Sequence, residues 1–206
     1  MPSMSRLDQP AGKYGWLDDW AEVNLGEALT VTVAGIDSPE AFLSAIGARS
    51  LPAGQGTLRG VTALADGNTA RHVLVGVIPA PGKHGWVLAA ESPSHVGYLK
   101  AGELSANGEA AALYSTEDGG VSFAWAKSGI VLAEFSPTHD DASAIDGSDP
   151  QALAEVMHLA GIGAEDTAHP RATAATLIEA ITGVAITRDI LENATFTAGS
   201  VPMPYW

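Results

Sequence analysis

The chain has 206 residues, 46% hydrophobic and 17% charged, a globular composition that can bury its own core without covalent staples. It holds no cysteine, which excludes disulfides, thiol nucleophiles, iron–sulfur clusters and cysteine-ligated zinc. A formal net charge of −14 sets it against nucleic acid and anionic membrane, so the acidic surface serves solubility or faces a basic protein partner.

Residues 1–13 read as a flexible leader, without the apolar stretch that a signal peptide needs. No apolar run approaches the about 20 residues that cross a membrane, so a cytoplasmic protein is expected. In YGWLDDWAEVNLG, Trp16, Leu17 and Trp20 recur at helical spacing and are expected in the core. LTVTVAG, residues 29–35, alternates with β-branched side chains and predicts a strand. In DSPEAFLSAIGA, Ser38 suits a cap, Pro39 opens a helix, Phe42, Leu43 and Ile46 supply its apolar face, and Gly47 stops it. LPAGQGTLRG reads as a Gly/Pro linker. Its glycines follow no buried strand and precede no Lys-Ser/Thr, so they are no phosphate cradle.

Five apolar runs follow: RHVLVGVIPA, GWVLAAES, GEAAALYST, VSFAWAK and GIVLAEFS, with Trp86 and Trp125 expected in the core. The EDGG and SG links between the last three suit tight hairpins, and the series predicts an antiparallel meander. KAGELSANG has room for one helical turn. SPTHDDASAIDGSDP, residues 136–150, is an acidic loop. Asp149 then caps and Pro150 opens a helix with Leu153, Val156, Met157 and Ala160 on one face. HPRATAATLIEAITG predicts a second helix, faced by Ala174, Leu177, Ile178 and Ile181 and ended by Gly183. VAITRDILEN predicts a third, capped by Thr187, and TFTAGSVPMPYW an irregular tail. No internal repeat recurs at a fixed period. The expected fold is α+β: one domain over residues 14–195, built on a mainly antiparallel sheet (a meander) with helices packed on one face and a C-terminal helical segment, then a tail over 196–206.

YGWLDD, GEALTVTVAGIDSPEAFLSAIGA, GWVLAAESPSHVGY, ELSANGEAAALYSTEDGGVSFAWAKSGIVLAEFSP, GSDPQALAEVMHLAGI and LIEAITGVAIT occur in this order over roughly residues 14–190. Together they resemble an actinobacterial family of domains of unknown function. The shared features are a strand–helix unit with a Leu-Gly-Ala-like stop, a Gly-Trp strand ending in Glu, a small β-meander and a Leu-Thr-Gly-Val-like helix end. The resemblance implies no activity and no catalytic residue. Where many members resemble Glu-Pro-Asn-Gly after the Gly-Trp strand, this chain has Glu91-Ser92-Pro93-Ser94, so only the Glu matches.

Glu91, Ser92, Ser94 and His95 bring acid, nucleophile and base types into one short stretch. The Gly-x-Ser-x-Gly turn of a serine hydrolase is absent, and sequence neighbours rarely supply triad geometry. A strand end and turn is expected, with Glu91 bonding turn amides, and a ligand-binding lip is the alternative. His139, Asp140 and Asp141, with Asp146 and Asp149 nearby, are candidates for binding; their spacing fits no Ca²⁺ loop, and Asp149 is more economically a helix cap. His72, His84, His95, His139, His158 and His169 include no pair at His-x-x-x-His spacing. No catalytic residue, metal site or cofactor is therefore expected. Tyr205 and Trp206 end a Pro-punctuated tail, where they can dock on the chain's own body, on a second copy or on a partner.

The sequence leads to a non-catalytic protein-interaction module, of the acidic inhibitor or immunity type, that engages a basic protein and neither nucleic acid nor membrane. A homo-oligomer joined through the C-terminal tail is a further expectation. Two alternatives stand beside it. One is a hydrolase using carboxylates near Glu91 and the 139–149 loop, and the other is a small-molecule or peptide-binding domain.

Overall fold

A computed structural model describes residues 10–19, 28–63, 72–136, 145–162 and 168–202. The described strands are β1 (Ala28–Ala34), β2 (Arg49–Gly56), β3 (His72–Pro79), β4 (Val87–Glu91), β5 (Glu109–Thr116), β6 (Val121–Lys127), β7 (Ile130–Phe135) and β8 (Phe196–Pro202). They form one sheet in the order β2-β8-β3-β4-β1-β5-β6-β7, and every neighbouring pair is antiparallel. The fold is α+β, as its sequence suggests.

β5, β6 and β7 form the expected meander through the EDGG and SG links. The series of five runs is nevertheless broken, because β4 and β5 do not pair. β1 lies between them, with Val31 opposite Ala90 on one side and Leu113 on the other. The long link from Glu91 to Glu109, which carries α4 (Val96–Leu99) and α5 (Ala101–Leu104), lets the chain step over β1. β1 is buried at every position, which its apolar and threonine residues permit in a strand covered on both faces.

Two further expectations are corrected. LPAGQGTLRG is no linker: its first part belongs to edge strand β2 and its last to α3 (Leu58–Ala63). The register of β2 shifts between Ser50 and Gln55, an edge irregularity of the kind that tolerates the Pro and Gly of this stretch. Residues 196–202 are not irregular tail but strand β8, inserted between β2 and β3, with Phe196 and Ala198 facing one core and Val201 the other. The helical turn α1 (Pro10–Tyr14) likewise reaches into the expected leader.

The C-terminal helices cover one face, as expected. α7 (Pro170–Thr182) buries Ala172, Ala174, Ala175, Leu177 and Ile178 against Leu29, Val31, Leu113 and Phe123, and its alanines allow a close approach to the sheet. α6 (Pro150–Leu159) is capped by Asp149, whose Oδ1 accepts the Ala152 N–H at 3.2 Å. α8 (Arg188–Asn193) is capped by Thr187. Tyr14 and Lys13 reach Glu179 of α7 at 2.7 Å and 2.5 Å. Burial, with the Glu179 carboxylate beside it, pushes the Tyr14 phenol far above its usual range. The opposite face is covered too. There α2 (Pro39–Ala45), capped by Ser38, packs Phe42 and Leu43 against Val75, Val77 and Val87, and Val96 of α4 and Leu104 of α5 join the same cluster.

The outer edge of β7 is occupied by residues 146–149. Glu134 and Asp146 exchange both backbone bonds at 2.8 and 2.9 Å, and the Ser148 and Asp149 amides donate to the Val131 and Leu132 carbonyls. Gly147 makes this approach possible. Its φ is +127°, and a Cβ there would overlap the Leu132 carbonyl oxygen and lie 2.7 Å from the Leu132 carbonyl carbon. Gly147→Ala is expected to loosen this strap by about 1–2 kcal/mol. Amide exchange at Ser148 and Asp149 should rise roughly tenfold with little change in global melting. Unchanged exchange at those two amides would contradict the role given to Gly147.

Candidate functional site

The ends of β4, β5 and β7 meet at one end of the sheet, since Thr30 lies opposite Glu91, Ala28 opposite Thr116, and Phe123 opposite Phe135. The ESPSHVGY stretch turns there, between β4 and α4. Glu91, the last residue of β4, is 0% exposed. Its Oε2 accepts from the Ser94 hydroxyl at 2.6 Å and the Val96 N–H at 3.0 Å, and its Oε1 accepts from the Gly97 N–H at 2.7 Å. The Thr30 hydroxyl donates to the Ser94 carbonyl and ties the turn to β1. Gly97 lies against Thr32 and Glu91: a Cβ there would overlap Thr32 Oγ1 and approach Glu91 Oε1 to 2.7 Å. Burial raises the Glu91 pKa, and the bonds from Ser94, Gly97 and Val96 oppose the rise.

This carboxylate holds the turn together, as the strand-end reading of the sequence anticipates. It is shut away from solvent with both oxygens already engaged, so a solvent-borne substrate cannot reach it without opening the turn. His95 stands on the same turn, but its ring packs on Tyr114, with centroids 5.0 Å apart and the planes tilted by 40°. Burial lowers the His95 pKa and so favours the neutral imidazole.

His95 begins a row of rings. Tyr98, one helical turn further along, lies 6.3 Å from Tyr114. Strand alternation explains the meeting. Ala111 and Leu113 of β5 turn to the core beneath α7, so Tyr114 turns to the face that carries α4. On β6, Phe123 and Trp125 face α7, while Ala124 and Ala126 pack with Ala101, Tyr98 and Val131. Ser122 shares that second face and hydrogen-bonds with Tyr98. Glu134 of β7, opposite Ala124, is close enough for its charge to act on the Tyr98 phenol. Burial, then the Glu134 charge, raise the Tyr98 pKa, and the Ser122 bond opposes them. Thr116, further along β5 on the same face, bonds Asp118 at the rim. The result is a half-buried strip of His95, Tyr114 and Tyr98 bordered by Ser122 and Glu134.

Of the candidates that the sequence picks out, Glu91 and His95 fall at this end of the sheet. His139, Asp140, Asp141, Tyr205 and Trp206 lie outside the described residues. Trp125 is in the core, its Nε1–H donating to Glu109 at 3.0 Å. Trp16 and Trp86 are only half-buried against the core, and Trp20 is outside the described residues. Tyr98, Tyr114, Ser122 and Glu134 were not singled out from sequence. The available signal was the His95-to-Tyr98 spacing of one helical turn. Tyr114 and Glu134 join only through strand pairing.

On the outer face of α6, Gln151, Ala154, Glu155, His158 and Leu159 line an open hollow of about 350 Å³, away from this strip. Among the described residues no group of three or more His, Asp or Glu side chains is placed to hold a metal ion, and no helix is long and apolar enough to cross a membrane. No curated protein and no solved structure matches the chain. A family model does, over residues 9–205, and by that match the chain belongs to a family of unknown function, DUF6461.

Proposed function

We propose that the protein is a non-catalytic interaction module that binds a basic protein, in the manner of an acidic inhibitor or immunity-type protein. The observation that carries this reading is the half-buried His95–Tyr114–Tyr98 strip beside Glu134. Aromatic side chains are favoured where protein surfaces meet, because they offer large, stiff contact area at little conformational cost. The net charge of −14 adds long-range attraction to a cationic partner and speeds encounter. The buried, fully bonded Glu91 weighs against the hydrolase alternative. A cytoplasmic setting in an actinobacterial host completes the proposal and rests on the sequence alone.

Affinity capture of the tagged chain from its host at low salt tests this reading. A basic protein is expected in stoichiometric amount, and its complex, rebuilt from purified components, should weaken at least tenfold between 50 and 500 mM salt, salt values chosen about a Debye length that falls from roughly 14 to 4 Å. Recovery of the chain alone at low salt would overturn the proposal.

A further inference from the structure

Half-buried aromatic rings elsewhere in the molecule are topped by the chain's own cations. Lys83 Nζ stands 3.7 Å from the centroid of the Trp86 ring, and Arg188 Cζ stands 5.5 Å from that of Trp16. Over Tyr98 and Tyr114 no cation of the chain is placed, among the described residues. Lys100, on the neighbouring turn, is held by Glu103 at 2.7 Å, and Lys127 faces Glu109 at the other end of β5 and β6. The charge that acts on the Tyr98 ring is that of Glu134, whose backbone pairs with Asp146, while at the rim Asp118 and the Thr116 carbonyl are engaged by Arg171 of α7.

A π-face draws a cation, and a carboxylate at its border adds a hydrogen-bond acceptor. A guanidinium uses both together, because it is planar enough to lie on a ring while its edge donates two parallel bonds to a carboxylate. An ammonium is a compact, strongly hydrated point charge and gains less from such a strip. We infer that the Tyr114–Tyr98 strip, with Glu134 at its border and His95 at its end, is a subsite for an arginine side chain. This deepens the reading of a basic partner and rests on it: the arginine would be one that the partner presents. Ala112 and Ala124, on the same face, are too small to compete for the rings.

The test uses acetyl-Gly-Arg-Gly-amide as probe, its citrulline counterpart as a neutral isostere, and NMR of isotope-labelled tyrosine rings in the full chain. The arginine peptide is expected to shift the Tyr98 and Tyr114 ring signals saturably, with the citrulline peptide at least tenfold weaker. Glu134→Gln should weaken arginine binding about tenfold, and Tyr114→Leu should remove it. Glu134→Gln alters a partly exposed side chain and keeps the comparison valid if Tyr114→Leu fails to fold. Ring signals that stay fixed, or respond equally to both peptides, would overturn the subsite. If the captured basic protein binds Glu134→Gln as tightly as wild type, the subsite falls while the basic-partner reading stands. If no basic protein is captured, that reading falls by its own test, independently of the peptide result.

Discussion

Glu91→Ala is expected to lower stability by about 4 kcal/mol, more than any other single change at the ESPSHVGY turn. The substitution strands the Val96 and Gly97 amides and the Ser94 hydroxyl, all of which now end on one buried carboxylate. A buried donor without an acceptor costs about 1–3 kcal/mol, and a small void adds to the loss. In a chain of this size, about 4 kcal/mol lowers the melting temperature by roughly 10 °C. Glu91→Gln should cost less, roughly 1–2 kcal/mol, because its amide oxygen still serves Gly97 and its NH₂ can donate to Ser94 Oγ, so that only the Val96 N–H loses its carboxylate acceptor. The pH dependence separates the two forms of Glu91. Its pKa is raised in the folded state, chiefly by burial, so the folded chain keeps a proton that the unfolded chain releases. The associated stability is full below the ordinary glutamate range and is lost as pH rises through the folded-state value. The advantage of wild type over Glu91→Gln should therefore be widest in acid and narrow as pH rises, as followed by denaturant unfolding at several pH values. An advantage that widens with rising pH would contradict this account.

Gly97→Ala is the second large effect, at about 3 kcal/mol. The added methyl would overlap Thr32 Oγ1 and press on Glu91 Oε1, and neither can yield freely. Thr32 is 0% exposed within β1, and its Oγ1 has no hydrogen-bond partner among the described residues. Glu91 is fixed by three bonds. Overpacking of this kind costs about 1–3 kcal/mol, and moving α4 away would also weaken the Gly97 bond to Glu91. Thr32→Ser combined with Gly97→Ala should recover little, because the hydroxyl that meets the new methyl is retained, whereas Thr32→Ala should recover more. Equal stability of Gly97→Ala and wild type in chemical denaturation would show that the turn is not packed as described.

Local chemistry made several elements legible in the sequence. The threonine–valine alternation marked β1, Asp149-Pro150 marked the start of α6, Thr187 marked α8, and the polar turn after GWVLAA marked Glu91 as an anchor for amides. The missed elements depend on distant neighbours. β8 carries Gly199 and few β-branched residues, so nothing local announces a strand; it forms because β2 and β3 flank it and both faces are covered. β2 is obscured by Pro52 and Gly54. The entry of β1 between β4 and β5 is a non-local choice that no periodicity reveals. The same holds for the aromatic strip. In EAAALYST the alanines carry no face preference, so the side to which Tyr114 turns follows only from pairing with β1 and β6. His95 was legible as a turn residue, but its place beside Tyr114 was not.

Cross-saturation NMR on the complex with the captured basic partner tests the central claim most directly, because it reads which residues the partner covers. Attenuation is expected at Tyr98, Tyr114, Ser122 and Glu134, with Gln151, His158 and Leu159 on the outer face of α6 unaffected. A footprint on α6 that spares the tyrosine strip would contradict the account.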